Sequence, residues 1–296
     1  MKKIIVSVVV LALLALLGLL VLSLSPVQDK ILDRGTAMIA KRGTQGLPAS
    51  ESLRVFVCGS ASPLGMGQAQ ACIAVVTPEH FYLIDSGAGS TNNIALLNLP
   101  TDRLDGILIS HFHSDHIAEI YEVNLNSWVT GRKEPMRVIG PQGVGEVVDG
   151  INVTYQHDRQ YRSAHHGESF LPPHLGLIDH QTVTAGVIID DGELKITAYR
   201  AEHPPIDPGL GYRIDYRGRS VVISGDSNVS AETERVVAGA DLLLHDALSV
   251  PTLSRLSKAF SAVGQSRMSK IVDDVMDYHA STESLIALGK SSDVGM

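Results

Sequence analysis

The sequence predicts an α/β protein, a four-layer αβ/βα sandwich preceded by an N-terminal apolar helix. Three observations carry this. Beyond residue 53, short β-branched and aromatic runs alternate with helical stretches, and the alternation occurs in two successive halves. A polar, histidine-rich stretch separates the halves. With 296 residues, 44% of them hydrophobic, the chain can bury the core of one large domain.

Met1-Lys-Lys3 precedes an almost uninterrupted apolar run from Ile4 to Leu24. At 1.5 Å per residue such a run spans a hydrocarbon core of about 30 Å. Residues 1–26 are therefore expected to be a signal anchor, in preference to a cleaved signal peptide. With the lysines retained inside, the remainder would face the periplasmic side of the cytoplasmic membrane, or be released to the periplasm if cleaved. Residues 27–52 read as a polar linker with one short helix and with Gly43, Gly46 and Pro48 as breakers.

Residues 53–296 read as the folded domain. Leu53–Cys58, Ala71–Val76 and Phe81–Ile84 read as strands, being β-branched or aromatic runs bounded by Gly and Pro. Thr91–Leu97 reads as a short helix, Gly106–Ile109 as an apolar strand, Ile117–Val129 as a helix and Met136–Ile139 as a strand. Residues 144–180 carry His157, His165, His166 and His174 among polar neighbours and are expected to form a helical lid over the cleft. The second half reads as strands Thr182–Ile189, Leu194–Tyr199, Gly211–Tyr216 and Ser220–Ser224, a helix Ser230–Ala238 and a strand Asp241–Leu244. Ligands at strand ends of both halves would meet at one edge between the sheets.

The formal net charge is −8. That balance disfavours a broad nucleic-acid surface, because phosphate binding draws on Lys and Arg, although bound divalent cations would supply local positive charge. Cys58 and Cys72 are the two cysteines. An oxidising compartment would permit them to pair, but the preferred reading is two small buried residues on neighbouring strands.

The densest chemistry is His111-Phe-His-Ser-Asp-His116, directly after the apolar strand. Imidazole nitrogens and a carboxylate oxygen are ligands that zinc accepts, and a tight turn lets alternate side chains face two points. His111 and His113 can then address one ion, and Asp115 and His116 a second. A solvated His-rich turn is the bland alternative, and the spacing argues against it.

These residues resemble the HxHxDH signature of the metallo-β-lactamase superfamily. The branch they look most like is that of ribonuclease Z. Val57-Cys-Gly-Ser-Ala-Ser-Pro63 and Phe81-Tyr-Leu-Ile-Asp-Ser-Gly-Ala-Gly89 are similar to the family's opening strand and its Asp-containing motif. Asp85 would there be the carboxylate behind the ligands that orients their loop. Glu202-His203 resembles the motif of the third histidine and Ile223-Ser-Gly-Asp226 that of the bridging aspartate. Leu244-His-Asp-Ala247 and His279-Ala-Ser-Thr282 look like the pair that sets a catalytic histidine beside an acidic partner. The resemblance thus implies two zinc ions: His111, His113, His203 and Asp226 at the first, Asp115, His116 and Asp226 at the second. Asp115, His279 and Asp246 are the implied catalytic residues, His279 as general acid steered by Asp246. Relatives end in a further histidine ligand, whereas no histidine follows His279 here. The second position is expected to be one ligand short unless His279 or water substitutes.

The implied function is zinc-dependent phosphodiester hydrolysis by a metal-bound hydroxide. The alternatives are an arylsulfatase or other small-ester hydrolase of the same fold, or a truncated, non-catalytic metal-binding domain. The acidic charge, the N-terminal segment and the spacing of about twenty residues between His203 and Asp226, where bacterial ribonuclease Z carries a basic arm, favour a small phosphodiester or sulfate ester over transfer RNA. A membrane is the other expected partner.

Overall fold

Eleven strands among the described residues assemble into two sheets. The computed structural model describes residues 2–42, 51–63 and 67–295. The chain divides into two units, Met1–Pro48 and Ala49–Met296. In the first, helices span Lys2–Leu22 and Ser25–Arg42. The second helix occupies most of the expected polar linker, because Val27–Arg42 contains a single glycine and no proline to interrupt it. Among the described residues no single helix is long and apolar enough to cross a membrane; Leu14–Leu22 and Ser25–Lys41 would pass only as a pair bent by 71°.

In the second unit the strands are β1 (Arg54–Gly59), β2 (Cys72–Val76), β3 (Phe81–Ile84), β4 (Gly106–Leu108), β5 (Met136–Gly140), β6 (Ile178–Thr182), β7 (Gly186–Asp190), β8 (Leu194–His203), β9 (Ile206–Tyr216), β10 (Arg219–Ile223) and β11 (Leu242–Leu244). One sheet has the order β1-β2-β3-β4-β5-β6, the other β11-β10-β9-β8-β7. β3 to β6 run parallel, and β10 pairs parallel with β11. Parallel strands buried on both faces need continuous apolar runs, and Phe81–Ile84 is buried at all four positions.

Alternation divides those residues between two layers. Tyr82, Ile84, Leu108 and Ile139 face the other sheet and pack with Ile196, Leu210, Tyr212, Ile214 and Ile223. Phe81, Leu83, Ile107 and Val138 are also buried, on the opposite face. The helix Ala231–Val237 covers the outside of the second sheet, with Val236 and Val237 on Tyr199 and Val222. Its capping box between Ser230 and Thr233 fixes its start. The two sheets and their helices form the four-layer sandwich.

Four expectations need correction. Thr182–Ile189 is not one strand: the chain leaves the first sheet at Thr182 and enters the second at Gly186, whose φ of 137° makes the crossing. The helix Ile117–Val129 is broken into Ser114–Ile117 and Ile120–Val129, since Glu119 turns back to donate its N–H to Ser86 O at 2.8 Å. Residues 144–180 form no lid. Helix Val144–Thr154 packs on β5 and β6 through buried Val144 and Val148, and no residue of the segment lines the cleft. Finally, Cys58 and Cys72 form a disulfide with a Cα–Cα distance of 5.0 Å. The antiparallel pairing of β1 with β2 brings them together, and Gly59 to Pro63 and Ala71, between the two cysteines, border the cleft.

Candidate metal centre

β3, β4, β10 and β11 all point their carboxyl ends at one edge of the sandwich, where the following loops converge. Asp85 follows β3 with φ 61°, a left-handed conformation that Asp tolerates. Its Oδ1 accepts Ser110 N–H at 2.8 Å, and its Oδ2 accepts Ser110 Oγ–H at 2.8 Å and lies 2.8 Å from His116 Nδ1. The carboxylate therefore sets the direction of the His116 ring. His116 Nε2 then faces Asp226, 3.2 Å from Oδ2.

Asp226 arrives from β10 through Gly225. A Cβ at Gly225 would stand 2.7 Å from Ser110 Cβ, and φ there is 63°, so glycine lets the two loops touch. His203 ends β8, and its Nδ1–H donates to Tyr278 O at 3.0 Å, leaving Nε2 for the cluster. The rings of His111 and His203 are 4.9 Å apart, those of His111 and His113 4.6 Å. Donor atoms of His111, His113, His203 and Asp226 lie within 4.8 Å of one another, and so do those of Asp115, His116 and Asp226. Asp226 belongs to both sets. His279 Nδ1 lies 2.7 Å from Asp246 Oδ2, and its Nε2 is 3.9 Å from Asp226 Oδ2.

The electrostatics suit a cation. Burial, helped by His116 and His203, pushes the His111 pKa down to about 2, so the ring is neutral. Burial also lowers His203. For Asp226 burial acts upward, but the hydrogen bond and charge of His116 outweigh it and hold the carboxyl well below its usual range. Burial works against a charge on His116 as well, yet Asp85 and Asp226 together raise its pKa. A proton on His116 thus occupies the electrostatic role a metal ion would take among these carboxylates. Two observations support the fit: His111 Nε2 is buried without any hydrogen-bond partner, and the donors are the N and O atoms divalent ions take. His113, Asp115, His116, Asp226 and His279 line a cavity of about 1310 Å³ together with apolar Leu253, Phe260 and Val272.

Each residue that the motifs singled out, Asp85, His111, His113, Asp115, His116, His203, Asp226, Asp246 and His279, stands at this edge. The reading missed Ser110, which ties Asp85 to the loop, and His245, which contacts Asp246. A hydroxyl residue at the junction of an apolar strand and a His-x-His run was the available signal for Ser110. His245 lies within the Leu244-His-Asp-Ala247 motif, in which only Asp246 was given a role.

Residues 80–282 match the family described as "Beta-lactamase superfamily domain". The chain belongs to the beta-lactamase superfamily. Within it, the chain is 31% identical over 247 residues to ribonuclease Z of Mycobacterium bovis, covering 82% of this chain and 83% of that one. The fold agrees with that of Bacillus subtilis YhfI, a metallo-β-lactamase fold protein (TM-score 0.59, 17% identity, 82% of this chain and 84% of that one). It agrees also with the short form of human tRNase Z (TM-score 0.57, 18% identity, 81% and 89%). The superfamily member described here is a metal-dependent hydrolase of the ribonuclease Z-like branch.

Two expectations about partners are corrected by these relatives. The preference for a small phosphodiester or sulfate ester rested on net charge, the N-terminal segment and a short spacing, and kinship with ribonuclease Z over four-fifths of the chain outweighs them. Global charge is a poor guide where a few buried donors and their ions set the local field. The expected membrane partner finds no support in the relatives or in the helix lengths.

Proposed function

We propose that this protein is a zinc-dependent endoribonuclease that cleaves a phosphodiester bond of RNA, with precursor transfer RNA as the substrate class. The observation that carries the reading is the His279–Asp246 pair, 2.7 Å between partners and 3.9 Å from Asp226, in a chain 31% identical to ribonuclease Z. His111, His113, His203 and Asp226 would hold one zinc ion, and Asp115, His116 and Asp226 a second. When bound, such ions supply an acidified water and neutralise charge at the scissile phosphate.

The chain's own groups do the rest. Asp85 holds His116, and Tyr278 O holds His203, so that the donor nitrogens are oriented before a metal arrives. Asp115, 3.7 Å from His116 Nε2, would orient the attacking water as well as ligate. His279, with Nδ1–H on Asp246, presents Nε2 to the cleft, where its proton can pass to the leaving oxygen. Burial opposes the charged imidazole, but the hydrogen bond to Asp246 and the charge of Asp226 favour it and raise the His279 pKa.

Incubation of the zinc-loaded chain with a precursor transfer RNA bearing a 3′ trailer is the test. A discrete 3′-processed product, absent with Asp226→Ala and after chelation, is expected. Intact RNA with two zinc ions bound per chain would reject the reading in favour of a metal-binding domain without turnover.

A further inference from the structure

Residues 247–272 carry Arg255, Lys258, Arg267 and Lys270 and no acidic residue, in a chain whose net charge is −8. They fold as a hairpin of two helices, Val250–Ala262 and Ser266–Val275, joined through Gly264 with φ 77°. The legs are clasped at the base, where Leu248 N–H donates to Ala280 O and Thr282 N–H to Leu248 O, each at 2.9 Å. Asp246 and His279 adjoin that clasp, so the hairpin begins and ends at the pair beside the metal donors.

A period of 3.6 residues sorts the side chains of each helix. Leu253, Leu256 and Phe260 of the first helix and Met268 and Val272 of the second line the cavity. Ser257 ties the helices together, its Oγ 2.9 Å from Ser269 Oγ. Arg255 and Lys258 fall on the remaining side of the first helix, with about 5–6 Å between Cβ atoms three residues apart. Both are exposed, as is Arg267. Among the described residues none of these three cations pairs with an acid. Lys270, by contrast, binds Asp274 at 2.7 Å, and in the second sheet Arg213 pairs with Asp215, Arg217 with Glu193 and Arg219 with Asp241.

The fold thus makes no electrostatic use of three clustered cations beside the cleft. Screening over about 8 Å at physiological salt means that acids farther off do not cancel them. The acids that follow the stretch, Asp273 and Asp274, stand in the last turn of the second helix, away from the connecting turn.

We propose that this hairpin is the arm that holds RNA. Arg255, Lys258 and Arg267 take backbone phosphates of the substrate strand outside the cleft, while its scissile phosphate lies among the metal donors. A polyanion is the partner that fits, because contacts to successive phosphates need several unpaired cations on one exposed element. The choice of RNA among polyanions rests on the proposed function.

Binding of a fluorescein-labelled precursor transfer RNA to the metal-free full chain, titrated by anisotropy at 50 to 200 mM salt, is the test. In the Arg255→Ala, Lys258→Ala, Arg267→Ala triple variant, Kd at 100 mM salt is expected to rise about 10-fold, and the slope of log K against log salt to fall by about 2–3. A charge-matched control replacing the exposed Lys133, Lys195 and Lys290 with alanine should bind within about twofold of wild type. Unchanged Kd and slope in the hairpin variant overturn the proposal. So does equal weakening in the control, which makes net charge the cause. Poly-glutamate that displaces the RNA at equal charge concentration, and needs the same three cations, would assign the arm to an acidic protein and also overturn it. If the triple variant does not fold, Lys258→Gln alone decides, with a slope change of about 1 expected and none overturning. A wild-type chain that binds RNA through these cations yet leaves it intact fails the proposed function and upholds the arm. Cleavage by wild type with unaltered binding by the hairpin variant does the reverse.

Discussion

The two ends of the sandwich hold the same kind of residue cluster and use it differently. At the site end, His116 lies between Asp85 at 2.8 Å and Asp226 at 3.2 Å, with its side chain 2% exposed. At the other end, before β3, His80 lies between Asp105 at 3.5 Å and Asp191 at 2.7 Å, with its side chain 22% exposed. Both histidines have raised pKa values, His116 against strong burial and His80 chiefly through its hydrogen bond to Asp105. Around His80 the neighbours are complete: Tyr216 donates to Glu79 at 2.8 Å and Arg217 pairs with Glu193 at 2.8 Å. Around His116 they are not, because His111 Nε2 has no partner and His113, His203 and Asp115 crowd the same space. A histidine between carboxylates is therefore a structural clasp when its surroundings are satisfied. It becomes part of a metal centre when further buried donors converge without partners of their own.

The comparison breaks most completely at Asp226, the residue common to both donor sets. Asp226→Ala is expected to reduce RNA cleavage to background and to lower bound zinc, read by elemental analysis of the purified chain. Full zinc content with abolished cleavage would instead confine Asp226 to chemistry. Next in size is the disulfide beside the cleft. The Cys58–Cys72 link has a sequence separation of 14 residues. Closing such a loop stabilises by roughly 3 kcal/mol in the chain-entropy account, so the double serine variant should lower the denaturation midpoint correspondingly. Unchanged midpoints in oxidised wild type and variant would show that the β1–β2 pairing needs no covalent link.

Smaller is the effect of Asp85→Asn, which keeps the shape behind His116 but removes its charge. Loss of about 10- to 100-fold in zinc affinity is expected, with the fold intact by circular dichroism. At the clasp end the change is smallest and is one of pH. The His80 pKa is raised on folding, so its stabilisation is fully present below the unfolded value of about 6.5 and is lost as pH rises through the folded value. Wild type should lose ~0.5–1 kcal/mol between pH 6 and 8 relative to His80→Gln, measured by denaturant unfolding of the metal-free chain. A parallel pH dependence in both would remove His80 from the account.

How much of this was legible depended on distance along the chain. His111, His113, Asp115 and His116 could be read because one turn after one apolar strand carries them all. His203, Asp226, Asp246 and His279 could be placed only through their resemblance to ordered family motifs, since nothing local distinguishes a ligand from a helix-capping Asp or a loop His. The disulfide was misread for a related reason. A separation of 14 residues says nothing of Cα distance until β1 and β2 pair. The break at Gly186 was hidden because both sides are β-formers, and apolar pattern alone does not say which sheet a strand joins.

By itself, then, the sequence determined the layered α/β class, most strand positions and the run His111–His116 as candidate metal donors, all consequences of local periodicity and spacing. Only the tertiary structure decided that Asp226 is shared by two donor sets, that Asp85 and Ser110 orient His116, that Asp246 meets His279, and that residues 144–180 cover a sheet and not the cleft. These are distances of a few ångströms between residues tens to more than a hundred positions apart. They exist because two sheets bury Tyr212 and its neighbours face to face, which brings the strand ends to one edge. The Tyr212 hydroxyl, donating to Ile109 O at 2.6 Å, fastens that packing two residues before His111.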